Sequence, residues 1–196
     1  MRKHTLASLL LLVSYSIAYA DMPVNNPEQN MLGDAKKLSA EFVQKLGGIL
    51  KQQLESSGTE SALSVCKDVA PEMSAQYSND KRIVKRVSLK PRNSSIGVAD
   101  EWGANQLKQF DMAAASGKPA AEIEAHAVTD EKDGRWFRYM KAIPTQAMCL
   151  QCHGGTDNIQ PTVQALLKQL YPNDLAVGYK VGEIRGAISV KEKFEQ

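Results

Sequence analysis

The sequence predicts an α+β fold, with helices at the start of the domain and an antiparallel sheet after them. Apolar residues recur at helical spacing early in the chain, whereas short runs of β-branched or alternating apolar residues dominate later. Two of these runs flank Asp133-Gly134, a dipeptide that favours a tight hairpin turn. A chain of 196 residues that orders its helices and strands in this way fits a single domain.

The N-terminus has the three parts of a secretory signal. Arg2 and Lys3 precede an apolar run over 6–13, and Ala18-Tyr19-Ala20 forms a cleavage site before Asp21. No other segment approaches the roughly 18 apolar residues that a membrane-spanning helix needs. We therefore predict a signal peptide over 1–20, a flexible leader over 21–33 and one domain over 34–196. The mature protein is expected in the periplasm, without a transmembrane span.

The charge balance argues against a nucleic-acid partner. The chain has 24 Lys and Arg against 22 Asp and Glu, and signal cleavage would remove two of the basic residues and no acidic one. The mature chain would then be close to neutral, whereas proteins that bind nucleic acids usually carry a basic stripe.

Two helices are predicted at the start of the domain. The first covers 34–57 and ends at Gly58, and Thr59 is a candidate cap for the second. The second helix places Cys66 on the same stripe as its apolar neighbours. Pro71 lacks an N–H for the helical hydrogen bonds, so the helix is predicted to kink or end there.

The remaining elements follow from alternation and turn residues. Asp100 is a candidate cap for a short helix, and a further helix is predicted over 161–170. Four strands are predicted from β-branched and alternating runs, over 82–89, 122–129, 135–143 and 183–191.

The segment AMCLQCHGG carries the chemistry. Cys149, Cys152 and His153 form a C-x-x-C-H arrangement, which is the attachment signature of c-type haem. Two thiols three positions apart can bond the two vinyl groups of haem, and the adjoining histidine can turn onto the iron. The sequence therefore predicts one covalently attached haem c, with His153 as the first axial ligand.

Two other chemistries fit the same residues less well. Zinc could bind Cys66, Cys149, Cys152 and His153, but a zinc site does not require a histidine directly after the second cysteine. A dithiol oxidoreductase would place C-x-x-C at a helix N-terminus in a βαβ unit, whereas here the motif follows a predicted antiparallel hairpin.

The second axial ligand is less obvious from the residues alone. His126, Met73, Met112 and Met140 are candidates, although each also suits an ordinary strand or core position. Cys66 is the odd cysteine of the chain once Cys149 and Cys152 hold haem. Sequence pattern leaves two interpretations of Cys66 open, a buried inert thiol or a ligand to iron.

Several segments together resemble a family of exported c-type haem domains with a PAS-like fold. The family is known from a cyanobacterial haem protein proposed as a redox sensor and from periplasmic parts of sensor kinases. The matching segments are ALSVCKDVAPEMSA, RVSLKPRN with the following DEW, CLQCHG and YPNDLAVGYKVGEIRGAISV. The resemblance implies a PAS-like antiparallel sheet and an iron held by His153 and Cys66. The stretch RNSSIGVADEW departs from the more usual RNPxNxPDxWE of that family.

A His/Cys ligand pair implies a function as a redox or small-gas sensor. Thiolate favours ferric iron and a low reduction potential, and its release on reduction would open a position for NO or CO. A separate redox or signalling protein would receive the signal. The alternative function is a diffusible low-potential electron-transfer cytochrome c.

No enzymatic activity is expected. A haem peroxidase would need an open distal position and an acid–base residue, and His126 is the only unassigned histidine of the mature chain. Arg86, Lys90 and Arg92 are candidates for neutralising the two haem propionates.

Overall fold

The computed structural model describes residues 26–195, so the predicted signal peptide over 1–20 and the start of the predicted leader lie outside the described residues. The helices are α1 (Pro27–Ser64), α2 (Ala70–Tyr77), α3 (Glu101–Ala115), α4 (Leu150–His153) and α5 (Pro161–Leu170). A π-helical turn, Val65–Val69, joins α1 to α2. Short 3₁₀ turns cover Ala120–Glu122, Ala147–Cys149 and Thr156–Asn158. The strands are β1 (Arg82–Val87), β2 (Glu124–Glu131), β3 (Gly134–Pro144) and β4 (Ile184–Lys193).

The strands form one antiparallel sheet in the order β1-β4-β3-β2. Each predicted strand is confirmed, with ends that differ by one or two residues, and the predicted α+β class with N-terminal helices is confirmed as well. Asp100 caps α3 as predicted, since its carboxylate accepts a hydrogen bond from Gly103 N at 2.9 Å. Within the described residues, no helix is long and apolar enough to cross a membrane.

Both faces of the sheet are covered. Phe137 and Tyr139 on β3 point toward α1 and pack around Phe42, and all three side chains are almost fully buried. Met140, the alternate residue on β3, points to the opposite face and packs with Leu107 of α3. The alternation of strand side chains thus builds two core layers, as the period of two in a β-strand requires.

The first helix begins earlier than the sequence predicts. The side chain of Asn26 accepts a hydrogen bond from Glu28 N at 3.1 Å, and Pro27 occupies the first turn, where no N–H is needed. Met31 and Leu32 pack against the core. The prediction of a flexible leader over 21–33 is therefore wrong from Pro27 onward, because this segment is capped and buries apolar side chains.

The connection between α1 and α2 also differs from the prediction. Gly58 does interrupt the helix, with φ +76° and ψ 178°, a conformation that is essentially restricted to glycine. The hydroxyl of Thr59, the predicted cap, donates to Gln151 Oε1 at 2.7 Å. Pro71 does not end the helical segment. It lies in the first turn of α2, directly after the π-helical turn.

A third cluster anchors the C-x-x-C-H segment. Leu63 near the end of α1 packs with Val163 and Leu167 of α5, and Cys152 lies against the same cluster. These contacts fix the position of α4 relative to the end of α1.

Candidate cofactor-binding site

A cavity of about 330 Å³ lies between α2, β1 and the C-x-x-C-H segment. This volume falls within the range of small-molecule and cofactor sites. Cys66 and His153, which are far apart in the sequence, both line this cavity. Its other lining residues include Ala70, Ser74, Val84, Val87, Ile96, Ile143 and Tyr171.

The π-helical turn positions Cys66. In this turn the N–H of Ala70 donates to the carbonyl of Val65, five residues earlier. A regular α-helix would bring the ring of Pro71 against the carbonyl of Lys67, and the wider turn avoids that clash. The proline that the sequence marks as a helix breaker thus shapes the backbone at the cavity wall.

The C-x-x-C-H segment is held by backbone hydrogen bonds to the loop before β4. Gly178 N donates to Gly154 O at 2.8 Å, and Tyr179 N donates to His153 O at 2.9 Å. Gly154 follows the motif because a β-carbon there would come within 2.7 Å of the Leu150 carbonyl oxygen. The hydroxyl of Thr59 adds a tether from α1 through Gln151.

The tautomer of His153 is fixed by one hydrogen bond. Its Nδ1 lies 2.7 Å from the carbonyl oxygen of Ala176, which can only accept. The proton therefore sits on Nδ1 and the lone pair on Nε2, the arrangement usual for a metal-ligating histidine. Burial lowers the pKa of His153 well below its usual value, and Arg185 and Arg92 lower it further. The imidazole is thus neutral, as a ligand must be.

Arg185 adjoins the lone pair of His153. Its Nε lies 3.4 Å from Nε2 and 3.2 Å from Nδ1, and its Nη1 donates to Ser88 Oγ at 3.1 Å. Because Nδ1 donates to Ala176, the acceptor for Arg185 is Nε2. Arg185 lies at the start of β4 and was not predicted as a site residue, since nothing in its neighbouring sequence marks it.

The cavity carries a surplus of positive charge. Lys85, Arg86, Arg92 and Arg185 line it, and none of the lining residues among positions 26–195 is acidic. Arg92 is 7% exposed, and its Nη1 is buried without a hydrogen-bond partner among the described residues. An unpaired buried guanidinium nitrogen is costly, so this cavity suits a group that brings negatively charged oxygens. The two propionates of haem meet that requirement.

Lys90 does not line the cavity, unlike Arg86 and Arg92. Its Nζ donates to the carbonyl of Val177 at 2.8 Å and lies 4.3 Å from the centre of the Tyr179 ring. The prediction that Lys90 faces a propionate is not supported by this geometry.

The other candidate axial ligands lie elsewhere. Met73 and Met140 are buried in the core, and Met112 is 56% exposed on α3. His126 lies on β2, where its Nε2 is 3.9 Å from Glu28 Oε1 and its ring contacts Phe137. None of these residues lines the cavity that contains His153.

The setting of the C-x-x-C motif counts against a dithiol oxidoreductase. Burial raises the pKa of the Cys152 thiol to about 11, with Cys66 and Cys149 adding to the rise and Arg92 opposing it, so this thiol stays protonated. The motif also follows the antiparallel strand β3 rather than a βαβ unit.

A zinc site is not assembled in the described part of the chain. Among residues 26–195, no three or more His, Cys, Asp or Glu side chains are grouped so that they could hold a metal ion. The four side chains considered for zinc are thus not gathered around one point.

Comparisons with known proteins give one family and one solved structure. The family model described as Tll0287-like, Tll0287, matches residues 24–192. The crystal structure of the cyanobacterial heme-protein Tll0287 is similar to this chain, with a TM-score of 0.60 and 25% sequence identity. The similarity covers 87% of this chain and 99% of that one. No curated protein matches the sequence.

Proposed function

The chain belongs to the Tll0287-like family, and on that basis we propose that it is a periplasmic haem protein with one covalently attached haem c. Cys149 and Cys152 would form the thioether bonds, while His153 and Cys66 would be the axial ligands. The observation that carries this proposal is that Cys66 and a neutral His153, whose lone pair is on Nε2, line one basic cavity. Arg86 and Arg92 would pair with the propionates.

We propose a redox or small-gas sensor as the function of this site. Haem supplies an iron centre whose reduction potential depends on its axial ligands, and a thiolate ligand lowers that potential. Cys66 lies in a π-helical turn, an irregularity that is frequent at functional sites. Release of the Cys66 side chain would let this turn move and would free a position for NO or CO.

Movement of α2 could reach the surface of the protein. The side chain of Ser78 at the end of α2 accepts a hydrogen bond from Val84 N of β1 at 2.9 Å. In the part of the chain that the structure describes, β1 lies at the edge of the sheet and pairs with a strand on one side only. A redox or signalling protein that contacts this edge would detect a shift of α2.

A diffusible electron carrier is the second candidate, and the surface beside His153 favours it. Leu175, Val177 and Val181 are 56%, 41% and 61% exposed on the loop that also supplies the hydrogen-bond partner of His153. Exposed apolar side chains close to an axial ligand suit brief docking of a redox partner. Hydrogen exchange separates the two functions: a sensor should show different protection of α2 in the ferric and ferrous states, and a carrier should not.

Covalent attachment is tested by expressing the full chain together with the c-type haem maturation machinery. The wild-type protein should keep its haem after denaturation, and C149A/C152A should lose it. Cys66→Ala is the matched control, because it removes a cysteine that makes no thioether and should retain the bound haem. Purified wild-type protein that contains zinc and no iron would contradict the proposed function.

The periplasmic location is tested by N-terminal sequencing of the protein from a periplasmic extract. A mature chain that begins at Asp21 is expected. A protein that keeps Met1 and stays in the cytoplasm would rule out export.

A further inference from the structure

One carbonyl group in the site accepts two hydrogen bonds. Ala176 O is 2.7 Å from Nδ1 of His153 and 3.2 Å from Nη2 of Arg92. A carbonyl oxygen has two lone pairs, so both donors can bind at once. A charged donor on one lone pair nevertheless withdraws electron density from the other, and the bond from the imidazole weakens as a result.

Arg92 is held rigidly in this position. Its Nε donates to Asp174 Oδ2 at 2.9 Å, and its Nη2 also donates to the carbonyl of Cys152 at 2.5 Å. Asp174 in turn accepts from Ala176 N at 2.8 Å through Oδ1. The carboxylate therefore fixes both the guanidinium group and the carbonyl that it shares with His153. The side chain of Arg92 is only 6% exposed, so water competes little for these bonds.

The guanidinium group of Arg92 also borders the cavity. Nη1 is buried and has no partner among the described residues, and Arg92 lines the cavity. One planar side chain thus contacts the backbone of the attachment motif, the hydrogen-bond partner of the axial histidine and the cavity itself. Lysine, with a single ammonium group, cannot reproduce this geometry.

We propose that Arg92 is a positioning residue that raises the reduction potential of the site through the carbonyl shared with His153. A weaker Nδ1–H···O bond makes the imidazole a poorer electron donor, and a poorer donor ligand stabilises the reduced state. This inference rests on the proposed function, because it needs haem bound at His153.

The test must separate the hydrogen bond from simple charge, since Lys85, Arg86 and Arg185 also line the cavity. Arg92→Lys keeps the positive charge but loses the planar guanidinium group and its several N–H donors. Lys85→Gln removes a charge from the cavity lining, and no hydrogen bond links Lys85 to Ala176 or Cys152. The two variants therefore make a matched pair. The readouts are the reduction potential and the Nδ1–H resonance of His153 in protein labelled with ¹⁵N-histidine.

If the inference is correct, Arg92→Lys keeps its covalent haem, lowers the potential and shifts the Nδ1–H resonance toward a stronger hydrogen bond. Lys85→Gln should leave that resonance unchanged, although its potential can fall through the lost charge. An Arg92→Lys variant with wild-type resonance and potential would overturn the inference and leave the proposed function intact. Wild-type protein without covalent haem would instead overturn the proposed function itself.

A second measurement needs no variant and covers the case in which Arg92→Lys does not fold. In the wild-type haem protein, the Nη2 protons of Arg92 should exchange slowly with water, because they are donated to Cys152 and Ala176. Rapid exchange with free rotation of the guanidinium group would contradict a fixed contact with the shared carbonyl.

Discussion

Cys66 and Cys152 are both partly buried, but their surroundings differ. Cys152 packs beside Val163 and Leu167. Cys66 lines the cavity and belongs to an irregular turn. Under the proposed function, Cys66 would bind iron reversibly and Cys152 would hold haem through a permanent thioether bond.

Replacement of Cys66 should change the iron site without releasing haem. In Cys66→Ala we expect a higher reduction potential, because a negatively charged ligand is lost, and a ferric site that binds added imidazole. Spectroelectrochemistry and an imidazole titration measure these two changes. His126→Ala is the control and should match wild type, since His126 lies on β2 outside the cavity. A Cys66→Ala protein with wild-type potential and no imidazole binding would show that Cys66 is an inert thiol.

Asp100 illustrates a residue with a purely structural role. Both of its carboxylate oxygens accept from Arg138 Nη2, at 2.8 and 2.6 Å, and the Arg138 side chain is only 6% exposed. Burial alone would raise the pKa of Asp100, but the Gly103 N–H and Arg138 together outweigh it and lower this pKa. The ion pair therefore stabilises the fold above about pH 3.9, the usual value for an unfolded aspartate. That stability is lost as the pH falls through the lowered pKa of the folded state.

Asp100→Asn isolates the charge, because asparagine is also a good helix cap. We expect a loss of about 1 kcal/mol at neutral pH, a modest figure because the carboxylate is half exposed. The loss should vanish in strong acid, and urea unfolding at both pH values measures it. Asp130→Asn is the control, since Asp130 is 83% exposed and should show no comparable loss at neutral pH. An equal loss for Asp100→Asn at both pH values would contradict the role of the charge.

Among the elements, the π-helical turn was the least predictable from sequence. Pro71 signals that the α-helical hydrogen bonds cannot continue, but a kink, a helix end and a π-helical turn all satisfy that requirement. Packing decides among them: Ala70 and Met73 of α2 are both buried in the core that α1 also enters, so the two helices continue with only a widened turn. By contrast, β1 to β4 could be predicted well, because alternation of side chains and the Asp133-Gly134 turn are local signals.

Replacement of Pro71 should change the direction in which the Cys66 side chain points. In Pro71→Ala the new N–H can bond to the carbonyl of Lys67, which favours regular α-helix and turns Cys66 away from its present direction. We expect tighter imidazole binding to the ferric protein than in wild type, because the bond from Cys66 is weakened. An imidazole titration provides the measurement.

Pro161→Ala is the matched control for this change. Pro161 lies in the first turn of α5, where an N–H has no helical partner, so its replacement should leave imidazole binding unchanged. Equal imidazole affinities of Pro71→Ala and wild type would show that the π-helical turn does not set the position of Cys66.

At the scale of the whole molecule, the sequence predicts the motif but not the cavity around it. Cys149, Cys152 and His153 fall within five consecutive positions, so a local pattern identifies them. Arg92 was predicted as a candidate propionate partner, but its bond to Asp174 was not, and Arg185 reaches the site only because β1 pairs with β4. Such contacts join segments that are distant in the sequence, and no periodicity reports them. The same limit applies to the start of α1, where Met31 and Leu32 are too few to show a helical period.

The central claim is that the iron of a covalently bound haem lies between His153 and Cys66. The electron paramagnetic resonance spectrum of the ferric wild-type protein tests this claim most directly. We predict a low-spin signal with the narrow spread of g values that is typical of histidine and thiolate ligands. A broad spread, typical of two histidines or of histidine and methionine, would contradict the claim, and so would a high-spin signal from iron with an open position.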